Sequence, residues 1–267
     1  MIIFDQSAAD YHASEHIGAS TAKLALDSLQ LFDDYRNGLV PNASSRALNF
    51  GTAFHAAILE PHLYANLISA GPINDKTGKP YGRDSKVFSE WEASNPGKLV
   101  LDGAELDTIT TMIARMPGEV RGVFAHRQSA KTEVSVYRDI DGLPVKCRTD
   151  HLDEPVITDL KTIDDIDGIA WAFKSYKYWF SQEWYKRVLL AETGVRHRFQ
   201  FVFAEKKPPY RWRIVQTNDE VCEEGAMLVR GVMSMLRDAQ KSGTWTDAAS
   251  IHEEITWPDC GHYEEIA

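Results

Sequence analysis

Cysteine is scarce in this 267-residue chain. Cys147, Cys222 and Cys260 form an odd, scattered set, which argues against a disulfide framework and against a four-thiolate zinc or iron–sulfur site. Long apolar runs are missing too. Nothing approaches the ~18 uninterrupted apolar residues of a membrane span. The opening MIIFDQSAADYHASEH carries acids and histidines where a secretion signal would carry a basic segment followed by an apolar one. A soluble, cytoplasmic protein with no membrane partner is therefore expected. Positive charge is in deficit: 29 Lys and Arg face 39 acids, a formal charge of −10. The whole surface is thus no electrostatic glue for DNA or anionic lipid, although a local basic groove would still suffice for a polyanionic substrate. Repeats, low-complexity tracts and linkers are absent, and 43% hydrophobic with 25% charged residues is ordinary globular composition. One elaborated domain spanning 1–267, with its core at roughly 45–217, is the expectation.

The period of the apolar residues orders the chain. GASTAKLALDSLQLFDDYRNG predicts a helix with Ser20 as its N-cap and Leu24, Leu31 and Phe32 as its buried stripe. SSRALNFGTAFHAAILEP predicts a second, carrying Gly51, Phe54, His55, Ile58 and Leu59 and ending at Pro61. Residues 70–99 read as a mobile loop leading to a short helix near Trp91, and Asp102 opens a third helix marked by Leu106, Ile109, Met112, Ile113 and Met116. TEVSVYRDIDGLPVKCRTD then alternates with period two around Asp141-Gly142, the chemistry of a tight hairpin turn. HLDEP reads as a loop, VITDLKT as a third strand, 168–192 as one amphipathic helix, RFQFVFAEKKPPYRWRIVQ as a second hairpin and 219–238 as a final helix. The fold class is α/β (α+β), a central mixed sheet flanked by helices.

Strand residues two apart share a face, so Asp159 and Lys161 project together, and pairing of the two strands would bring Asp150 beside Asp159. Adjacent carboxylates repel unless a cation sits between them, and oxygen ligands suit Mg²⁺ or Mn²⁺. A nearby lysine can orient water or stabilise the charge that develops on a phosphodiester. Taken alone, Asp-x-Lys reads more simply as a solvated strand face, since such tripeptides are common. His55 reads either as a hydrogen-bonded core residue or as a ligand, and Glu133 either as a third carboxylate or as an edge-strand charge. Tyr178, Gln182, Tyr185 and Leu189 share one helical face, which suits sheet packing as well as function. Trp171, Tyr176, Trp179 and Trp184 suit packing better than base stacking. Cys260 and His262 lack the second ligand pair of a metal site.

Taken in order, NFGTAFHAAILEP, EVSVYRDIDGLPVKCRTDHLDEPVITDLKT and the Tyr/Gln helix resemble the PD-(D/E)xK nuclease superfamily, and within it the RecE-type and phage exonucleases related to lambda exonuclease. Gly51, His55, Leu59, Glu60 and Pro61 match that group's histidine helix. Arg148 with Asp150, then Asp159, Lys161 and Thr162, match its core strands, and Glu133 its hairpin glutamate. Relatives commonly carry glutamine and tyrosine four positions apart, whereas Gln182 and Tyr185 are three apart here.

The resemblance implies a restriction-endonuclease-like core and a 5′-to-3′ exonuclease acting on double-stranded DNA ends in phage-type recombination. Its implied site has His55, Glu133, Asp150 and Asp159 on Mg²⁺, for which Mn²⁺ can substitute, and Lys161 on the water, with Gln182 and Tyr185 assisting catalysis. Ser20, Arg83, Lys86, Lys174 and Lys177 are its candidate DNA contacts. A homo-oligomer and a single-strand annealing partner are implied on the same ground. The rival readings are an endonuclease or structure-specific nuclease using the same site, and a catalytically inactive DNA-binding or assembly module.

Overall fold

A computed structural model describes residues 1–41, 46–82, 84–95, 97–125 and 130–246. Arg83, Cys260 and His262 lie outside the described residues. In chain order the first half comprises β1 (Ile2–Ile3), α1 (Ala8–Ala13), α2 (Ala19–Asp27), α3 (Leu29–Arg36), α4 (Arg46–Leu59), α5 (Pro61–Leu67), β2 (Ile68–Ser69), α6 (Lys86–Ser94), β3 (Leu99–Val100), α7 (Gly103–Ala114) and α8 (Gly118–Val123). The second half comprises β4 (Ala130–Ile140), β5 (Leu143–Asp153), β6 (Val156–Ile163), α9 (Ile169–Ser175), α10 (Tyr178–Thr193), β7 (Arg198–Glu205), β8 (Trp212–Val215) and α11 (Asp219–Ser242).

The described residues build the expected mixed sheet, ordered β1-β4-β5-β6-β7-β8. Asp141 and Gly142, at φ 54° and 84°, supply the two left-handed residues of the β4–β5 turn. From there the antiparallel ladder runs from Ile140 opposite Leu143 to Ala130 opposite Asp153. β6 runs parallel to β7 throughout its length, a connection that requires a crossover, provided by α9 and α10. β6 is buried on both faces, as a central parallel strand must be. Ile157 faces the core shared by α2, α10 and α11, where Phe180, Trp184 and Phe201 are fully buried. Leu160 faces the other, built by Phe54 and Leu59 of α4 with Ile109 and Met112 of α7. Each such side chain contributes roughly 1.5–3 kcal/mol of hydrophobic stabilisation. At Gly225 a Cβ would lie 2.8 Å from the Trp179 carbonyl oxygen, so glycine is what lets α11 press directly onto the first turn of α10.

Several boundaries differ from the sequence reading. The first helix is two: Ser28 is extended and its hydroxyl caps α3 by accepting from Leu31 N–H. Gly18, not Ser20, stands at the N-cap of α2, and Ala19, Ala22 and Ala25 form its buried stripe, small side chains that suit its packing against α10 and α11. Pro61 ends α4 and opens α5 at once, since its missing N–H costs nothing in a first turn. Residues 70–99 are no open loop: β2 and β3 pair in parallel at its ends, and the Asn74 amide bonds back to Lys79 inside it. β5 continues through His151 to Asp153, so only Glu154 and Pro155 remain of the expected HLDEP loop. The 168–192 helix breaks at Lys177, φ 52°, into α9 and α10, and α10 ends at left-handed Gly194. Asp102 caps α7 as expected, in a capping box with Glu105.

Candidate active site

The β4–β5 register places Glu133 directly across from Asp150, between the pairs Thr132–His151 and Val134–Thr149, yet those two residues do not pair. Glu133 is instead left-handed, at φ 52°. For a non-glycine residue within a strand that is a strained conformation, costing on the order of 1–3 kcal/mol, of the kind that clusters at functional sites. On the other side, β5 pairs with β6 as far as His151 opposite Thr158, and the next position would set Asp150 opposite Asp159. That pair is also missing. The Leu160 N–H donates to Asp150 Oδ2 at 2.7 Å instead. Asp150 therefore sits where both ladders open, and Glu133, Asp150 and Asp159 form a row across three strands.

α4 completes the arrangement from the opposite layer. His55 Nδ1 lies 3.6 Å from Asp150 Oδ2, and ligand atoms of His55, Glu133 and Asp150 all lie within 4.8 Å of one another. Two donors on one Mg²⁺ can be at most about 4.2 Å apart, twice the ~2.1 Å bond, so the cluster fits a hard divalent ion after a contraction of a few tenths of an ångström. Asp159 Oδ2 is held by Lys161 Nζ at 2.5 Å, and Glu133 by the Arg148 guanidinium. Asp150 faces the Leu160 amide and His55.

The electrostatics match this crowding. Burial and the neighbouring Asp150 charge push the Glu133 carboxyl up to about 7, although Arg148 opposes them. Asp159 is likewise raised by burial and by Asp150, against Lys161. Burial works to lower the Lys161 ammonium, but the charges of Asp159 and Asp150 outweigh it and hold the group above its ordinary value. Carboxylates that resist ionisation beside a lysine that resists deprotonation describe a site short of positive charge, which a divalent cation would supply.

Two cavities meet at this row. One, of about 640 Å³, is lined by Gly51, His55, Thr162, Tyr178 and Lys206. The other, of about 970 Å³, is lined by Ser20, Arg36, Lys146 and Tyr185. Glu133, Arg148 and Asp150 border both. Tyr178 and Tyr185 thus reach the site from α10, and Lys161 Nζ stands 5.7 Å above the Tyr178 ring centroid.

Gln182 does not join them. It is buried with its amide on Thr217 and Cys222, because α11 covers that flank of α10. The proposed DNA contacts are dispersed. Ser20 is exposed at the larger cavity, Lys177 is bound to Asp27 at 2.6 Å, Lys86 pairs with Glu90 at 3.5 Å, and Lys174 is exposed on α9. The sequence reading missed Lys23, which donates to the Tyr176 carbonyl at 2.7 Å and is pushed down to about 8 by burial and the adjacent Lys161 charge. It also missed Lys146, whose ammonium is held by the Tyr11 and Ser14 carbonyls. Lys23 comes from 153 positions away in the sequence, and no local spacing announces it.

A family described as a PDDEXK-like domain of unknown function (DUF3799) matches residues 18–255. The chain belongs to this PDDEXK-like family. Asp159-Leu160-Lys161 is an Asp-x-Lys tripeptide within the matched residues. The fold is restriction-endonuclease-like, and it is shared with the crystal structure of a protein named "putative exonuclease" from Eubacterium rectale. The two superpose with a TM-score of 0.65 at 16% identity, over 97% of this chain and 98% of that one. A Vibrio cholerae protein structure aligns over 89% of this chain and 59% of its own at 14% identity, and its TM-score of 0.24 carries no weight. No curated protein matches the sequence. Among the described residues no helix is long and apolar enough to cross a membrane.

Proposed function

We propose that this PDDEXK-like protein is a Mg²⁺-dependent deoxyribonuclease that degrades double-stranded DNA from its ends, 5′ to 3′, in phage-type recombination. Membership of the family and the fold shared with the Eubacterium rectale protein support a hydrolytic nuclease. The observation that carries the reading is the carboxylate row at the doubly opened strand, with Lys161 beside it. Neither packing nor secondary structure benefits from broken ladders and a left-handed glutamate, whereas a metal-dependent hydrolase needs its acids grouped in this way.

His55, Glu133 and Asp150 would hold the ion, with Asp159 next to them. When bound, Mg²⁺ polarises a phosphate oxygen and lowers the pKa of a coordinated water. Lys161 keeps its proton, so its task is to orient the attacking water and to stabilise negative charge gathering on the phosphate. Arg148 fixes the Glu133 carboxylate, and Tyr178 supports Lys161 from below. Cavities on both sides of the row suit a strand that enters on one side and leaves on the other. A homo-oligomer and a single-strand annealing partner complete the proposal.

The test is digestion of linear duplex labelled at either end, alongside covalently closed circular DNA, with Mg²⁺, Mn²⁺ or EDTA. Loss of the 5′ label first from linear DNA, sparing of the circle and silence in EDTA are expected. Cutting of the circle would make the protein an endonuclease. DNA binding without any cutting would leave an inactive binding module.

A further inference from the structure

The aromatic cluster that reads as packing in the sequence divides in the fold. Trp184 is fully buried, but Trp171 and Tyr176 remain 68% and 55% exposed. Both flank the C-terminal half of α9, whose Phe173 turns inward onto Phe201 at 5.2 Å. Trp171 and Tyr176 meet edge to face, with centroids 6.1 Å apart at 82°, a contact that leaves ring surface open to solvent. Tyr176 lies 5.6 Å from Tyr178, and Tyr178 lies beneath Lys161. An unbroken line of aromatic rings therefore leads from the surface to the lysine of the site. Tyr176 and Tyr178 both line the cavity that contains His55 and Asp150. The line is flanked by cations, with Lys174 exposed on α9 and Lys23 fixed to the Tyr176 carbonyl.

Exposed rings interleaved with ammonium groups bind single strands, because every base has a face to stack and every linkage a charge to neutralise. A closed duplex hides its base faces and gains nothing from such rings. We propose that Trp171 and Tyr176 form a stacking site for unpaired nucleobases at a DNA end, leading the strand past Lys174 towards Lys161. The proposal rests on the nuclease reading and narrows it: the preferred substrate has its last nucleotides unpaired.

The probe is an oligothymidine of ~12 nucleotides with nuclease-resistant linkages, titrated in EDTA against a blunt hairpin duplex and an abasic oligomer of equal length. Trp171→Ala is expected to weaken oligothymidine binding about tenfold, with Trp171→Phe within about threefold of wild type and duplex affinity unchanged. Wild type should bind the abasic oligomer as weakly as Trp171→Ala does. Unchanged oligothymidine affinity, or an equal loss on duplex, overturns the proposal. A change in sedimentation mass of Trp171→Ala with unaltered affinity also overturns it, and assigns the rings to an interface between copies. Failure of the nuclease reading looks different: wild type then cuts no DNA with Mg²⁺ or Mn²⁺, and if it also binds neither DNA, both readings fall together.

Discussion

The two halves of the β4–β5 hairpin are built from the same alternating sequence and serve opposite ends. Near the turn every ladder pair from Ile140–Leu143 to Val134–Thr149 is made, with Val134, Val136, Val145 and Cys147 sealed in the core. One residue further on the ladder opens before it resumes at Thr132–His151: Glu133 is strained and Asp150 has no ladder partner on either side. The closed half contributes stability, and the open half consumes some of it to bring like charges together.

Asp150→Asn breaks the open half most directly. The amide still accepts from Leu160 N–H but removes one charge from the crowd, so activity should fall about ten-thousandfold, ~5.5 kcal/mol of barrier. Metal-free stability should stay level or rise by about 0.5–2 kcal/mol. Release of acid-soluble label and urea unfolding measure the two, and a coupled loss of both would show that the acids are structural. Trp184→Ala breaks the closed half from the helix side. Its indole is fully buried and donates to the Lys146 carbonyl at 3.0 Å, so about 3–5 kcal/mol of unfolding free energy should disappear.

These two expectations also mark what the sequence could disclose. Alternation and Asp141-Gly142 predict the hairpin, and period two alone puts Asp159 with Lys161. The carboxylate row needs the register of three strands: pairing of the last two is enough to expect Asp150 beside Asp159, while Glu133 reads from the residues equally as an edge-strand charge. That Glu133 would be left-handed is invisible, since nothing in Thr-Glu-Val disfavours an extended strand. The burial of Gln182 under α11 and the arrival of Lys23 are tertiary events, decided by packing partners over 30 residues away, whereas the break at Ser28 is local, made by a hydroxyl that accepts from the Leu31 N–H.

Gly142→Ala is a smaller perturbation at the closed end. At φ 84° alanine is strained, and a loss of about 1 kcal/mol is expected, with nuclease activity per folded molecule unchanged. A fall in specific activity would mean that the turn communicates with the row. A pH-dependent effect lies beyond the hairpin, at Glu205, buried at the end of β7 and bonded to Arg211. Arg211, with help from the Ile166 amide, lowers its pKa to about 2. A carboxyl depressed on folding stabilises above its unfolded pKa of ~4.3 and loses that contribution as pH falls towards 2. Stability of wild type should therefore decline over that window more steeply than stability of Glu205→Gln, as acid titration of unfolding midpoints would measure.

The bond from Leu160 N–H to Asp150 makes one backbone amide a resident reporter. Its proton is held by the carboxylate that faces His55, so whatever approaches that carboxylate draws electron density from the bond. The Leu160 cross-peak in an amide nitrogen–proton spectrum should move when a divalent ion is titrated in, before any substrate is present. Arrival at the site can thus be followed without a label, a substrate or a turnover.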